Sequence, residues 1–330
     1  FRSVSLSSLN SFLFQVKIKK NSLKQLSFPP GIEIFERGWL SANNILHFGE
    51  DDVSLVDTGY VAHQGMTLGL VRNALNKHQL NTINKVANTH LHSDHCGGNT
   101  ALKEAYDCQI YIPASEAEAV RDWNMDLLSY QNLGQDCPRF SFDHLLIPGQ
   151  QITLGRYEWD ILAAPGHDPH SVMLYQEQHG ILISADALWE EGFGVIFPEL
   201  WGESGFEEVA QTLDLIESLS ISLVIPGHGK PFVDVATALA TARSRLDYLA
   251  SDSDRNARHG AKVLLKYKLL DWRSKELPLI NQWIAQTPAL NSAAKQLNMN
   301  MDDFCLWLSQ ALVKSGAATI EDNCLLDRNS

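Results

Sequence analysis

The sequence predicts an α/β fold, and three observations carry that expectation. Short β-rich runs alternate with stretches of helical periodicity through most of the chain. Several apolar runs end in a histidine or an aspartate, as buried strands do when they deliver side chains to a common rim. A length of 330 residues, 45% of them apolar and 20% charged, is enough to bury a large core and to leave a smaller appendage.

Taken in order, strands are expected over residues 44–48 and 53–57, followed by an amphipathic helix over 64–78. Further strands are expected at 85–89, 109–113, 158–163, 172–176, 181–185 and 223–226, with helices at 99–106, 115–123, 206–219 and 235–249. The polar cluster at 251–256 marks a boundary or a corner between helices. Beyond it, helices are expected at 257–268, 277–285, 290–296 and 302–315, and a terminal strand or hairpin arm at 318–325. This order divides the chain into a main domain at 28–250 and a helical, winged-helix-like appendage at 251–330. Residues 290–297 and the helix after them have the look of a helix-turn-helix, or of a packing unit that covers a cleft.

Composition limits the partners. Residues 1–27 hold five Lys/Arg and no acid and read as a basic leader or disordered tail, whereas residues 28–237 hold nine basic residues against 29 acidic ones. Such an acidic body works against long nucleic acids and favours a small-molecule substrate. No apolar stretch approaches the roughly 20 residues that cross a bilayer, so a soluble protein with no membrane partner is expected. The cysteines (Cys96, Cys108, Cys137, Cys305, Cys324) are scattered, which argues against a disulfide framework and fits a reducing, cytoplasmic setting. Cys96 adjoins the ligand-rich segment described next and reads as a small buried residue.

The informative segment is Thr89-His90-Leu91-His92-Ser93-Asp94-His95-Cys96-Gly97-Gly98, which places four donor-type side chains within six residues directly after a predicted strand. Imidazole and carboxylate are the donors that zinc, iron and manganese accept. Three later segments repeat the arrangement of an apolar run closed by a donor: Ala163 to His167, Ile181 to Asp186, and Leu223 to His228. Pro-Gly precedes both His167 and His228 and shapes each turn.

Together these motifs resemble the metallo-β-lactamase-fold hydrolases, whose signature is His-x-His-x-Asp-His followed by a His, an Asp and a His on later strand ends. The resemblance covers residues 31 to about 237. It implies an αβ/βα sandwich of two mixed sheets with helices outside and a dinuclear metal site at one edge. His90, His92 and His167 would hold one divalent ion, Asp94, His95 and His228 the second, and Asp186 would bridge them. Zinc is the leading metal, with iron and manganese as alternatives. Asp94 would also accept a proton, and Asp57, in Val56-Asp57-Thr58-Gly59, would take part by bracing the metal loop. His170 departs from the family, lying three residues after His167 where many relatives have a histidine four after, and is expected as support near the metals or as a loop residue.

The resemblance implies that two metals share and activate a water. A small ester, thioester or lactone is the leading substrate class. Alternatives are a phosphodiesterase or ribonuclease with the tail as a nucleic-acid clamp, and a non-catalytic metal-bearing sensor. In the commonest class of true β-lactamases a cysteine stands where this chain has Asp186, which points away from β-lactam hydrolysis. Flavodiiron relatives need a glutamate near His92 and a flavin domain, both absent here. The loop after Asp186, with Trp189 and Phe193, is expected to line a pocket, to form a lid or to pack between domains, and Trp123, Tyr130 and Phe140 to close the other side of the cleft. The C-terminal helices resemble those that end glyoxalase II and the β-lactamase-like endoribonucleases with a winged-helix tail.

Overall fold

A computed structural model describes residues 28–328; the expected leader at 1–27 lies outside the described residues. The first sheet is built from β1 (Ile32–Phe35), β2 (Asn44–Phe48), β3 (Val53–Val56), β4 (Lys85–Ala87), β5 (Gln109–Pro113) and β6 (His144–Leu146), hydrogen-bonded in that order. β1 to β3 run antiparallel, and β3 to β6 run parallel. Between them lie α1 (Gln64–Lys77), α2 (Ser93–Cys96), α3 (Asn99–Tyr106), α4 (Ala117–Asp122) and α5 (Tyr130–Leu133).

The second sheet has the order β11-β10-β9-β8-β7, formed by β7 (Gln151–Leu154), β8 (Tyr157–Ala163), β9 (Val172–Gln176), β10 (Ile181–Ala185) and β11 (Leu223–Pro226). Only the β10/β11 pair is parallel. α6 (Phe206–Ser218) precedes β11, and α7 (Val235–Ala250) follows it.

Strand alternation explains the layers. Ile45 and Val56 of the first sheet meet Trp159, Ile161, Leu174 and Ile183 of the second in a core between the sheets. The alternate residues Leu46 and Leu55 face outward onto Val71, Leu75 and Leu102 of the helices. Leu182 and Val224 likewise face Val209, Leu213 and Leu246 of α6 and α7. The result is the expected sandwich of two mixed sheets between helical layers.

α8 (Ser253–Trp272) opens the C-terminal part and starts earlier than expected, because the Asp252 side chain caps it by accepting from Asp254 N at 3.1 Å. β12 (Ser274–Glu276), α9 (Leu277–Gln286), α10 (Pro288–Gln296), α11 (Met301–Lys314), β13 (Ala318–Glu321) and β14 (Cys324–Asp327) complete it. The three strands pair in the order β12-β14-β13, so the expected terminal strand is a hairpin with a third strand beside it. A separate apolar cluster joins α8 to α11 and reaches Val195, Phe197 and Leu200 of the loop after β10. Among the described residues no helix is long and apolar enough to cross a membrane.

Candidate metal centre

The donors arrive from the carboxyl ends of strands in both sheets. β4 stops at Ala87, two residues earlier than expected, because Thr89 N turns to donate to Asp57 Oδ1 at 2.9 Å. The chain then passes through His90 and His92 into α2, whose single turn carries Asp94 and His95. A Cβ on Gly98 would lie 2.6 Å from the Thr58 carbonyl, so the loop closes this tightly only with glycine there. From the second sheet, β8 leads to His167, β10 to Asp186 and β11 to His228. Ala185 has a φ of +47° beside an irregularity in the β10/β11 register, and this strained residue aims Asp186 at the rim.

All seven expected donors are buried and meet at one place. Three groups have mutually close donor atoms, all within 4.8 Å: His90, His92 and His167; His90, His95 and Asp186; and Asp94, His95 and His228. His92 Nδ1 lies 3.1 Å from His90 Nε2 and 2.9 Å from His167 Nε2. Asp186 stands between the groups: its carboxylate oxygens lie 3.4 Å from His167 Nε2, 3.5 Å from His95 Nε2 and 3.9 Å from His228 Nε2. On the far side, Asp94 Oδ2 lies 3.0 Å from His228 Nε2.

This arrangement fits divalent cations. His95 Nε2 is buried and without a hydrogen-bond partner, although its ring is fixed from behind by Asp57 Oδ2 at 2.7 Å from Nδ1. His167 is fixed in the same way, with Nδ1 donating to the Val195 carbonyl at 2.6 Å, which leaves the Nε2 lone pair facing the cluster. Burial, reinforced by the neighbouring histidines, pushes His90 well below the ordinary imidazole value, and burial and His167 bring His92 down to about 4, so both are neutral donors near pH 7. For His95, burial acts downward, but the carboxylates of Asp57, Asp186 and Asp94 outweigh it and hold the ring well above its usual value. Burial raises Asp186, but the surrounding histidines His228, His95 and His167 overcome it and hold the carboxyl well below its usual value.

The supporting residues divide between those the sequence anticipates and those it misses. Asp57 stands behind His95 and also accepts from Thr89 Oγ1 at 2.8 Å, so it braces the loop and does not face the cluster. Its place is therefore that of a positioning residue, in contrast to a catalytic one. Trp189 is at the centre: Nε1 donates to Asp186 Oδ1 at 3.3 Å, and its ring packs on His228. His170 belongs to none of the three donor groups; its backbone N donates to Asp168 Oδ1. Phe193 is buried in the core under α6 and α7 and is no pocket wall. Trp123 packs on both Tyr130 and Phe140 in the cluster between the first sheet and its helices, and none of the three lines the cavity beside the donors.

Sequence reasoning passes over Asp168, whose Oδ2 lies 3.6 Å from His92 Nε2, and Trp39, which stacks on His228 at 5.5 Å between ring centroids. Phe197, in the aromatic loop after Asp186 that the sequence singles out, packs against the rings of both His92 and His167. Tyr267 of α8 places its hydroxyl 3.0 Å from Ser93 Oγ, and Gln135 Oε1 accepts from Ser93 N at 3.1 Å. Among those passed over, only Asp168 has a signal in the sequence, its position beside His167; the other contacts join segments far apart in the chain.

Comparison with known proteins agrees with this geometry. The profile of the metallo-beta-lactamase superfamily matches residues 37–228. A probable metallo-hydrolase of Bacillus subtilis, YqgX, is 30% identical over 152 residues, which are 45% of this chain and 69% of that protein. A hydroxyacylglutathione hydrolase of Bdellovibrio bacteriovorus is 28% identical over 131 residues, 40% of this chain and only 43% of that protein. The chain thus spans less than half the length of that hydrolase. A crystal structure of a metallo-beta-lactamase family protein from Thermus thermophilus superposes with a TM-score of 0.54 at 20% identity, covering 91% of this chain and 99% of that one. TTHA1623, solved in a di-iron-bound form, gives 0.50 at 21% identity over 64% of this chain and 98% of its own. With the profile matched over more than half its length, the chain belongs to the metallo-beta-lactamase superfamily.

Proposed function

We propose that the protein is a dinuclear metal-dependent hydrolase acting on a small ester, thioester or lactone. His90, His92 and His167 hold one divalent cation, Asp94, His95 and His228 hold the other, and Asp186 is shared. The observation that supports this most is the Asp186 carboxylate, within 3.4 Å of His167 on one side and 3.5 Å of His95 on the other. Two divalent cations supply Lewis-acid polarisation of the scissile carbonyl and activation of water at neutral pH. Zinc suits the His/Asp donor set, and iron and manganese are accepted by the same donors.

The chain's own residues supply orientation and proton handling. Asp94 is a ligand that also serves as proton acceptor, with its Oδ2 lying 3.0 Å from His228 Nε2, the other donor at that side. Asp57 and the Val195 carbonyl hold the His95 and His167 rings with the donor nitrogen facing inward. Trp189 Nε1 donates to Asp186 and limits its rotation. The names of the hydroxyacylglutathione hydrolase relatives support an acyl substrate.

Purified metal-loaded protein, assayed on panels of acyl thioesters, aryl esters and lactones, is expected to turn over at least one class. Asp94→Ala is expected to lower kcat by about 10²–10⁴. Turnover no greater than that of a folded Asp94→Ala variant across all panels would sink the reading, and cleavage of RNA or a phosphodiester in its place would redirect it.

A further inference from the structure

A cavity of about 620 Å³ opens beside the metal centre. Trp39 and Trp189 belong both to its lining and to the centre, because both rings pack on His228 at 5.5 and 5.4 Å. Part of its lining is apolar, with Val195, Val263, Leu270 and Leu312. Its cations are Arg245 of α7 and Lys262, Lys266 and Arg273 from α8 and its end, with His259 beside them, and no Asp or Glu lines it. In a chain with 39 acidic and 26 basic residues, a basic wall without an acid departs from the composition of the whole.

The cations differ in their partners. Lys266 and Arg273 both pair with Asp327, whose single charge offsets one of their two. Arg245 and Lys262 have no carboxylate within ion-pair distance among the described residues. Arg245 is half-buried, with its guanidinium 5.3 Å over the Phe193 ring and Nη2 donating to His259 Nε2 at 2.7 Å. An arginine has no lone pair to offer, so His259 accepts at Nε2 and is neutral; burial, then the charges of Arg245 and Lys262, keeps its pKa down at about 4. A partly buried guanidinium without a counter-charge is costly, and its planar fork matches a carboxylate or phosphate.

We infer that this cavity is the substrate's second anchor, and that it selects a compound whose apolar body crosses Trp39 and Trp189 and whose far end carries a single carboxylate or phosphate held by Arg245 and Lys262. The inference rests on the hydrolase reading for what happens at the scissile bond, but the anion site is defined by this wall alone. The acidic body around it favours one small anion over a polyanion.

The test is equilibrium binding of 4-phenylbutyrate, 4-phenylbutylphosphonate and neutral 4-phenylbutanamide to the full chain. It is run on metal-loaded and chelator-treated protein, for wild type, Arg245→Met, Lys262→Met and the double variant, each checked for folding by circular dichroism. At least one anion is expected to bind about tenfold or more tighter than the amide, with and without metal; whichever of the two binds tighter identifies the headgroup. The double variant is expected to lose that preference while its amide binding is kept, and Lys262→Met alone to lose part of it. Equal binding of all three probes overturns the inference. So does an anion preference that disappears on chelation yet survives in the double variant, because the anion then sits on the metals. Binding of a short single-stranded RNA that is stronger than either small anion and lost in the double variant also overturns it, in favour of a polyanion. Because no turnover is read, an anion preference in a protein that hydrolyses nothing would leave this site standing and remove only the hydrolase reading, and the reverse result would do the opposite.

Discussion

Gly194 has no side chain because the His167 ring occupies the space: a Cβ there would overlap Nδ1 and lie 2.8 Å from Cγ. The same imidazole is held by the Val195 carbonyl, so the glycine and the carbonyl together set which nitrogen faces the centre. Gly194→Ala is expected to displace the ring and to weaken binding at the His167 side by about 10–100-fold, as loss of a ligand's outer partner does. Competition with a chromogenic chelator measures this, and unchanged affinity for both ions would show that the ring does not need its support. At this scale the seven donors are legible in the sequence because four fall within six residues and the other three each close an apolar run. Asp168 is not, because its neighbour His167 absorbs the motif and a carboxylate beside Pro reads as a turn. Trp39 is not, because a lone exposed tryptophan gives no sign of the histidine it stacks on.

Elements of regular length are readable, whereas short strands are readable only where they lead into a motif, as β3, β4 and β11 lead to Asp57, His90 and His228. β1, β6, β7 and β12, three or four residues each, escape a reading of the sequence because a run that short shows no period. β2, β9 and β10 are buried along their whole lengths and stand out as mostly apolar runs of five residues. The first helix of the C-terminal part packs where no local pattern could place it. Gly260 of α8 lets the helix come within reach of the loop after β10: a Cβ there would lie 3.0 Å from Leu200 Cδ1 and 3.3 Å from Val195 Cγ1. Asn256 Nδ2 donates to the Ile196 carbonyl at 3.0 Å in the same contact. Gly260→Val is expected to push α8 off this loop and to destabilise the protein by about 1–3 kcal/mol, the range for overpacking a close contact. Urea denaturation checks it; a midpoint equal to wild type would mean the loop yields without cost.

At the scale of the molecule, the two-sheet sandwich follows from the resemblance carried by the metal motifs, because period and composition alone give only α/β. A buried histidine inside it sets an acid limit. His47 of β2 lies between the sheets against Trp159, with neither ring nitrogen hydrogen-bonded, and burial lowers its pKa from 6.5 to about 3. A base depressed in the folded state gives stability that is intact above the unfolded value and is lost as pH falls from about 6.5 towards 3. His47→Leu is therefore expected to change Tm little at pH 8 and to flatten its decline between pH 6 and pH 4. An unchanged acid slope would assign that decline to other groups.

Two cations sharing Asp186 are the centre of the proposed chemistry, and the direct measurement is metal content by inductively coupled plasma mass spectrometry at saturation. Wild type is expected to hold two equivalents per chain, His95→Ala and His167→Ala about one each, and Asp186→Asn fewer than two with weakened binding of those that remain. One equivalent in wild type, or two retained in all three variants, would contradict a dinuclear centre built on these residues.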